Sequence, residues 1–368
     1  MSARTRPPFH ADHVGSLLRP PRLQEARARA AAGEITGDEL RAVEDDCIRD
    51  VVALQENAGL QVVTDGEFRR TYWHFDFFEG FAGFELGAPL DMGTFEGISD
   101  QPPSAMVTAK VERTKPVMVD HFAYLNGLTD RTAKISVPGP SMMHFRAGRD
   151  GIDRDVYPDL EPFWEDLTAA YRAELGDMAA HGCSYIQLDD ISYAYLCDSD
   201  VRAKLTSQGE DPDALALTYA NALNDAIRDL PDSVTTGTHM CRGNFQSTWA
   251  ASGGYEPVAE VVFNTITVDA LFMEYDSERA GGFEPLRFVP DDKFVVLGLV
   301  TTKTPGLEAK DDLKRRIDEA AKYVDLERLC LSPQCGFSST HHGNKITEQD
   351  EIAKLRLIVE VADDVWGS

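Results

Sequence analysis

The chain has 368 residues, 43% of them hydrophobic and 27% charged, which is typical of a globular protein with a large core. Acidic residues outnumber basic ones by 62 to 36, and the resulting net charge of -26 disfavours binding to nucleic acids or anionic membranes. No apolar run approaches the roughly 20 residues of a membrane-spanning helix, and residues 1–8 lack the apolar stretch of a signal peptide. Six irregularly spaced cysteines do not indicate a disulfide framework, so we expect a cytoplasmic protein with reduced thiols.

Short apolar runs recur along the whole chain, and each one ends in small or polar residues. Near-continuous apolar runs of this length are typical of strands that are buried on both faces of a parallel sheet. The eight predicted strands are residues 9–16, 60–67, 134–139, 183–190, 234–241, 270–276, 294–302 and 329–336.

Amphipathic helical patterns fill most of the gaps between these strands. They cover residues 22–32, 37–58, 159–181, 211–229, 309–323 and 347–363, the last beginning with the capping-box spacing Thr347–Asp350. Strands that alternate with helices predict an α/β fold, a TIM (β/α)8 barrel in a single domain spanning 1–368. A doubly wound open sheet is the competing fold, but the turn at Gly15–Ser16 lacks a glycine-rich nucleotide loop.

The connection that follows the second predicted strand, residues 69–131, is unusually long. It contains an aromatic-rich stretch at 72–84 and two alternating segments at 104–113 and 117–122. This pattern predicts an inserted hairpin or lid over the mouth of the barrel.

Three of the predicted strands end in residue types that zinc prefers as ligands. His239 and Cys241 are two positions apart on one strand, so their side chains point to the same face. Glu274 ends the sixth strand and Cys335 the eighth. Because the carboxyl ends of barrel strands converge, these four side chains predict a zinc site.

This ligand set predicts chemistry on sulfur. Two thiolates, a carboxylate and a neutral imidazole around a dication leave a net charge near -1, which is poorly suited to generating hydroxide. The same site suits an external thiol, which a metal ion deprotonates and keeps nucleophilic at neutral pH.

Seven short motifs occur along the chain in a characteristic order. They are Val14-Gly15-Ser16, Asp65-Gly66-Glu67, Gly139-Pro140, Gln187-Leu188-Asp189, His239-Met240-Cys241, Glu274 and Pro333-Gln334-Cys335-Gly336. In these motifs the chain resembles the C-terminal catalytic barrel of cobalamin-independent methionine synthase, and more closely the short single-barrel relatives of that enzyme. The resemblance implies a zinc site of His239, Cys241, Glu274 and Cys335. It also implies that Ser16, Glu67 and Asp189 hold the amino-acid end of homocysteine.

The sequence departs from this family where the methyl donor is expected. Full-length synthases carry a second, N-terminal barrel, for which we expect no room here. The family stacks the donor on a tryptophan after the Gly-Pro motif, whereas this chain has His144 and Phe145 there. After the seventh strand the family has a histidine thought to protonate the departing donor, and Lys303 is the candidate catalytic residue in that region.

The leading hypothesis is therefore a zinc-dependent transferase that methylates the thiol of homocysteine. The donor is methyltetrahydrofolate or a corrinoid-bound methyl group delivered by a partner protein. One alternative is alkyl transfer to another thiol, such as coenzyme M opening an epoxide. An alternative of another class is a non-catalytic protein that binds a methyl donor or a metal.

Overall fold

The computed structural model of the chain describes residues 4–88 and 103–367, and its central element is a parallel sheet. Six strands form that sheet in the order β10-β9-β8-β7-β6-β5. The strands in chain order are β1 (Val62–Val63), β2 (Phe81–Gly87), β3 (Ser104–Arg113), β4 (Thr132–Ala133), β5 (Ile135–Pro138), β6 (Tyr185–Asp189), β7 (Thr235–Met240), β8 (Ala270–Glu274), β9 (Phe294–Val300) and β10 (Leu329–Pro333).

The sheet confirms the α/β class and the last six predicted strands. Strands β6, β8 and β10 are buried at every position, as expected of strands covered on both faces. Every pairing within the sheet is parallel, so all six strands present their carboxyl ends at the same edge.

The first two predicted strands are much shorter than the sequence suggested. Residues 9–16 contribute one isolated bridge, from Ala11 to Leu331 of β10, and residues 60–67 contribute only β1, which pairs with β4. The backbone leaves the extended region at Gly66 (φ 66°) and Glu67 (φ 59°), which ends any regular ladder. The contacts follow the order of a barrel, but the hydrogen-bonded ladder is open between β10 and β5.

The described part of the long insertion holds a hairpin whose pairing differs from the prediction. Segment 104–113 is strand β3, but its antiparallel partner is β2, and residues 117–122 lead into a helix. The amides of Val117 and Met118 donate to the Glu174 carboxylate, which favours the helix start over a strand. Arg113 also binds Glu174 at 2.6 Å, so the hairpin lies against the long helix that carries this residue. Among the described residues of the insertion, 72–74 line the cleft, and residues 89–102 of the predicted lid lie outside the described residues.

Helices surround the sheet and begin close to where the sequence patterns place them. Thr347 and Asp350 form the predicted capping box at the start of the last helix. No helix among the described residues combines the length and apolarity needed to cross a bilayer. The α-helices are α1 (Pro21–Ala31), α2 (Gly37–Ala58), α3 (Phe75–Phe78), α4 (Val119–Asn126), α5 (Glu161–Ala180), α6 (Ser192–Tyr195), α7 (Ser199–Ser207), α8 (Pro212–Ile227), α9 (Glu256–Thr265), α10 (Lys310–Ala320) and α11 (Glu348–Trp366).

Candidate metal and substrate site

A cleft opens at the carboxyl ends of the sheet strands. Its position agrees with the rule that parallel α/β folds place their sites at this edge. Glu274 and Lys303 are not among the residues that line it. The other predicted site residues all line the cleft: Ser16, Glu67, Asp189, His239, Cys241 and Cys335.

Three of the predicted metal ligands lie together at the base of the cleft. One ligand atom each of His239, Cys241 and Cys335 falls within 4.8 Å of the others, and the two sulfurs are 3.6 Å apart. Neither ring nitrogen of His239 has a hydrogen-bond partner in the part of the chain that is described. Contact with Cys241 and the nearby His239 holds the pKa of the Cys335 thiol well below its usual value. A buried imidazole beside two thiols, of which Cys335 is the easily ionised one, fits a soft metal such as zinc.

Glu274, the fourth predicted ligand, lies beyond this group and is held by cations. Its Oε2 accepts from the Arg242 amide at 2.7 Å, its Oε1 pairs with Arg279, and Lys303 Nζ lies 3.9 Å away. Burial alone would raise the pKa of Glu274, but the positive charges of Lys303, Arg279 and Arg242 outweigh burial and hold it at about 2. The sequence analysis missed both arginines, although Arg242 directly follows a predicted ligand and Arg279 lies five residues after another.

Lys303 is placed beside Glu274 and not in the cleft. It is 8% exposed, and its ammonium has no hydrogen-bond partner among the described residues. Its closest ionic contact is the Glu274 carboxylate, at the edge of ion-pair distance. The structure therefore does not bring this predicted catalytic residue to the surface that a substrate would touch.

Two buried carboxylates face the cleft next to the metal ligands. Glu67 Oε1 accepts from Ser136 Oγ at 2.7 Å, and its Oε2 has no partner in the described ranges. Asp189 accepts from Gln187 at 2.7 Å, and burial raises the pKa of Asp189 to about 7. Glu67 also has a positive φ of 59°, a backbone conformation that non-glycine residues rarely adopt and that is enriched at active sites. This pair suits a ligand that brings its own positive charge.

Ser16 is fitted closely beneath the loop that carries Cys335. Its Oγ accepts from the Ser338 amide at 3.4 Å. A Cβ built on Gly336 would lie 1.9 Å from the same oxygen, so only glycine is compatible with this approach. The hydroxyl is thereby held on the cleft wall beside the metal ligands.

A buried polar column lies beneath Asp189, and the sequence analysis did not find it. Lys134 Nζ donates to Asp12 at 2.8 Å and to the Gln187 side-chain oxygen at 3.0 Å, while Asp12 also accepts from Tyr185. Because Lys134 occupies the oxygen of the Gln187 amide, the amide nitrogen faces Asp189. The sequence signal for this column was Lys134, a charged residue at the start of an otherwise apolar predicted strand.

An aromatic wall, Tyr72 to His74, forms another side of the cleft. The His74 ring contacts the rings of Trp73, at 4.5 Å between centroids, and Phe75, at 3.8 Å, both at tilted angles, and burial holds the pKa of His74 well below its usual value.

The aromatic wall is joined by backbone hydrogen bonds to the loop that follows Cys335. Trp73 N donates to Ser339 O at 3.0 Å and His341 N to Thr71 O at 2.8 Å.

Comparisons with known proteins agree with this geometry. A model of the catalytic domain of cobalamin-independent synthases matches residues 9–364. The uncharacterised protein YxjG of Bacillus subtilis is 45% identical over 366 residues, which are 99% of this chain and 96% of YxjG. The 5-methyltetrahydropteroyltriglutamate–homocysteine methyltransferase of Caulobacter vibrioides is 26% identical over 334 residues, which are 90% of this chain and 40% of that protein.

A solved structure also shares the fold over the full length. The crystal structure of a candidate vitamin-B12-independent methionine synthase from Listeria monocytogenes matches with a TM-score of 0.79 and 35% identity. The match covers 99% of this chain and 100% of that one. The chain is thus a methyltransferase of the cobalamin-independent type and belongs to the cobalamin-independent synthase catalytic-domain family.

Proposed function

We propose that this enzyme methylates the sulfur of homocysteine to form methionine and that its metal is zinc. The observation that carries the proposal is the position of three soft ligand atoms, from His239, Cys241 and Cys335, at the base of a cleft with two buried carboxylates. A site for a thiol and a site for an ammonium group are therefore adjacent, as an amino-acid thiol requires.

The ligand set suits zinc because it combines thiolate and imidazole donors. Bound there, zinc would supply the positive charge that keeps the substrate thiol ionised at neutral pH. We propose Glu274 as the fourth ligand, a role in which it would exchange its contact with Arg279. Lys303 then acts as a positioning residue, because its charge keeps Glu274 ionised.

The amino-acid end of the substrate fits the wall beside the ligands. We assign its ammonium group to Glu67 and Asp189 and its carboxylate to the neighbourhood of Ser16. Asp189 is the direct strand neighbour of His239, so the ammonium and thiol sites lie one strand apart. Two fixed ends hold the sulfur in line with an incoming methyl group, which is how positioning lowers a transfer barrier.

The family match favours a methyltetrahydrofolate-type donor. The Caulobacter relative is named for such a donor, and the matching family is cobalamin-independent, so we do not carry the corrinoid alternative forward. In the transfer, the bond between the donor nitrogen and the methyl carbon breaks and a sulfur–carbon bond forms. The nitrogen keeps the electron pair and takes up a proton. The aromatic wall is the surface best suited to a planar donor ring.

The two buried carboxylates also favour homocysteine over coenzyme M as the thiol substrate. Coenzyme M carries a sulfonate and no ammonium group, and two acidic side chains would repel it. Homocysteine offers the cation that they need. Because the chain belongs to an enzyme family, a non-catalytic role is the weaker alternative.

The test is to measure methionine formation and zinc content together in purified protein given homocysteine and methyltetrahydrofolate. We expect Cys335→Ser to lose both zinc and activity. Cys183→Ser is the matched control, because Cys183 is equally buried but lies outside the cleft. Methionine formation by metal-free Cys335→Ser at the wild-type rate would refute the proposal.

A further inference from the structure

A buried arginine side chain joins the turn that carries Glu67 to the loop that follows the last proposed metal ligand. Arg19 is 4% exposed, and one terminal nitrogen, Nη2, donates to the carbonyl oxygens of Glu67 at 2.9 Å and Arg70 at 2.8 Å. The other, Nη1, donates to the carbonyl oxygens of Ser338 at 2.9 Å and Thr340 at 3.1 Å, and to Ser338 Oγ at 2.7 Å. A single rigid group therefore holds two separate segments of the cleft wall.

The guanidinium of Arg19 is held by hydrogen bonds and not by an ion pair among the described residues. All five contacts are to neutral oxygens, four backbone carbonyls and one hydroxyl. Burial lowers the pKa of Arg19 from 12.5 to about 10, so the side chain stays charged at neutral pH. Burying a charge without a counter-ion costs free energy that an apolar side chain would avoid. The charge therefore points to a geometric role, in which two segments share one planar fork of donors.

The backbone that carries Arg19 lies between the same two segments. Leu17 N donates to Gly66 O at 3.1 Å, and Phe337 N donates to Ser16 O at 2.9 Å. The Arg19 side chain thus extends from a backbone that is fixed on both sides, and it limits how far the two segments can move apart.

These segments carry groups that would bind opposite ends of one substrate. Cys335, a proposed metal ligand beside the substrate sulfur, lies three residues before Ser338, and Glu67 is a proposed partner of the ammonium group. In an amino acid that bears a thiol, the number of methylene groups sets the separation of the sulfur from the ammonium group. Cysteine has one methylene fewer than homocysteine, and a site that senses one methylene discriminates by about 10- to 200-fold.

We propose that Arg19 determines the length of the substrate, because it fixes the distance between the metal ligands and Glu67 at the span of homocysteine. This inference rests on the proposed function and names the residue that makes the site specific for one amino acid of this class. Arg19 does not line the cleft, so it is a positioning residue that acts through the backbone of its partners. A lysine would keep the charge, but its single ammonium group lacks the fork that reaches both segments.

The test is the affinity of the zinc-loaded protein for homocysteine and for cysteine, measured by calorimetry without a methyl donor. We expect the wild-type protein to prefer homocysteine by about 100-fold and Arg19→Lys to reduce this preference to about tenfold or less. Arg328→Lys is the matched control and should keep the preference. Arg328 also donates to two backbone carbonyls, those of Pro290 and Lys293, but it lies at the amino end of β10, away from the cleft.

Ser338→Ala is a milder variant, which decides the matter if Arg19→Lys does not fold. It removes one of the five contacts of Arg19 and should lower the preference by about threefold. A loss of packing alone would weaken the binding of both thiols equally, so the ratio of the two affinities is the readout that distinguishes positioning.

Three results would overturn the inference: no preference for homocysteine in the wild-type protein, an unchanged preference in the folded variants, or an equal reduction in Arg328→Lys. Failure of the proposed function looks different. If the preference depends on Arg19 but methyltetrahydrofolate yields no methionine, the role of Arg19 stands and the function falls. If methionine forms and the preference is independent of Arg19, the function stands and the role of Arg19 falls.

Discussion

The buried Glu351 gives the fold a pH dependence that can be calculated and tested. This side chain is 1% exposed in the first turn of α11, and its Oε2 accepts from the Leu18 amide at 2.8 Å, two residues beyond Ser16. Burial raises the pKa of Glu351 from 4.5 to about 8. The folded state therefore holds a proton that the unfolded state releases, so the contribution of Glu351 to stability is greatest below pH 4.5 and falls as the pH rises from 4.5 to about 8.

Glu351→Gln isolates this effect, because glutamine keeps the acceptor for Leu18 and cannot ionise. Each pKa unit corresponds to about 1.4 kcal/mol, so between pH 5.5 and 7.5 the wild-type free energy of unfolding should fall by about 2.5 kcal/mol relative to the variant. Urea unfolding of both proteins at the two pH values measures the difference. Glu25→Gln, an exposed change on α1 that does not contribute to the pKa of Glu351, is the control. If the difference in the free energy of unfolding between the wild-type protein and the variant does not change with pH, the reasoning is refuted.

Three further substitutions probe the cleft. Glu67→Gln should raise the KM for homocysteine by about 10- to 100-fold, because it removes a charged hydrogen bond to the substrate. Activity with 4-mercaptobutyrate, which lacks the amino group, should change little. Equal losses for both thiols would argue against the ammonium site. Lys134→Met should lower the free energy of unfolding by about 3 kcal/mol or more, because it leaves the buried Asp12 carboxylate unpaired. It should also raise the KM for homocysteine, because the Gln187 side chain is no longer oriented towards Asp189. An unchanged KM in folded protein would exclude the positioning role. Gly336→Ala should lower the free energy of unfolding by about 1 to 3 kcal/mol and displace Ser16. Gly306→Ala is the control and should have little effect, because there is open space around Gly306. Equal melting temperatures for the two variants would contradict the close packing of Gly336 against Ser16.

The sequence predicted those parts of the fold that depend on local pattern. Strands such as β6 and β8 are buried on both faces, so their apolar runs were unambiguous. The second predicted strand is shorter than expected because the backbone turns at Gly66 and Glu67, and a run of residue types does not reveal dihedral angles. The predicted pairing of 104–113 with 117–122 was wrong because β2 is the partner of 104–113. Residues 117–122 lead into a helix whose first amides are bound by Glu174, and this residue comes from a distant helix.

The site residues, like the fold, were predictable only where they depend on local sequence pattern. The ends of β7 and β10 supplied His239, Cys241 and Cys335, because strand ends converge in any parallel α/β fold. The cations around Glu274 come from separate segments, as does the column under Asp189. No spacing rule joins Lys134 to Asp12, which lies 122 residues away. Polar networks of this kind become visible only once the chain has folded.

Backbone hydrogen bonds join the aromatic wall, which we propose faces the donor, to the loop after Cys335, a proposed metal ligand. Trp73 and Ser339 share one of these bonds, so any displacement of the sulfur ligand's loop carries the ring wall with it. Under the proposed function, metal affinity and donor choice therefore depend on each other. Substitutions selected to admit a bulkier donor should also shift the affinity for the metal, and engineering one property will require compensation in the other.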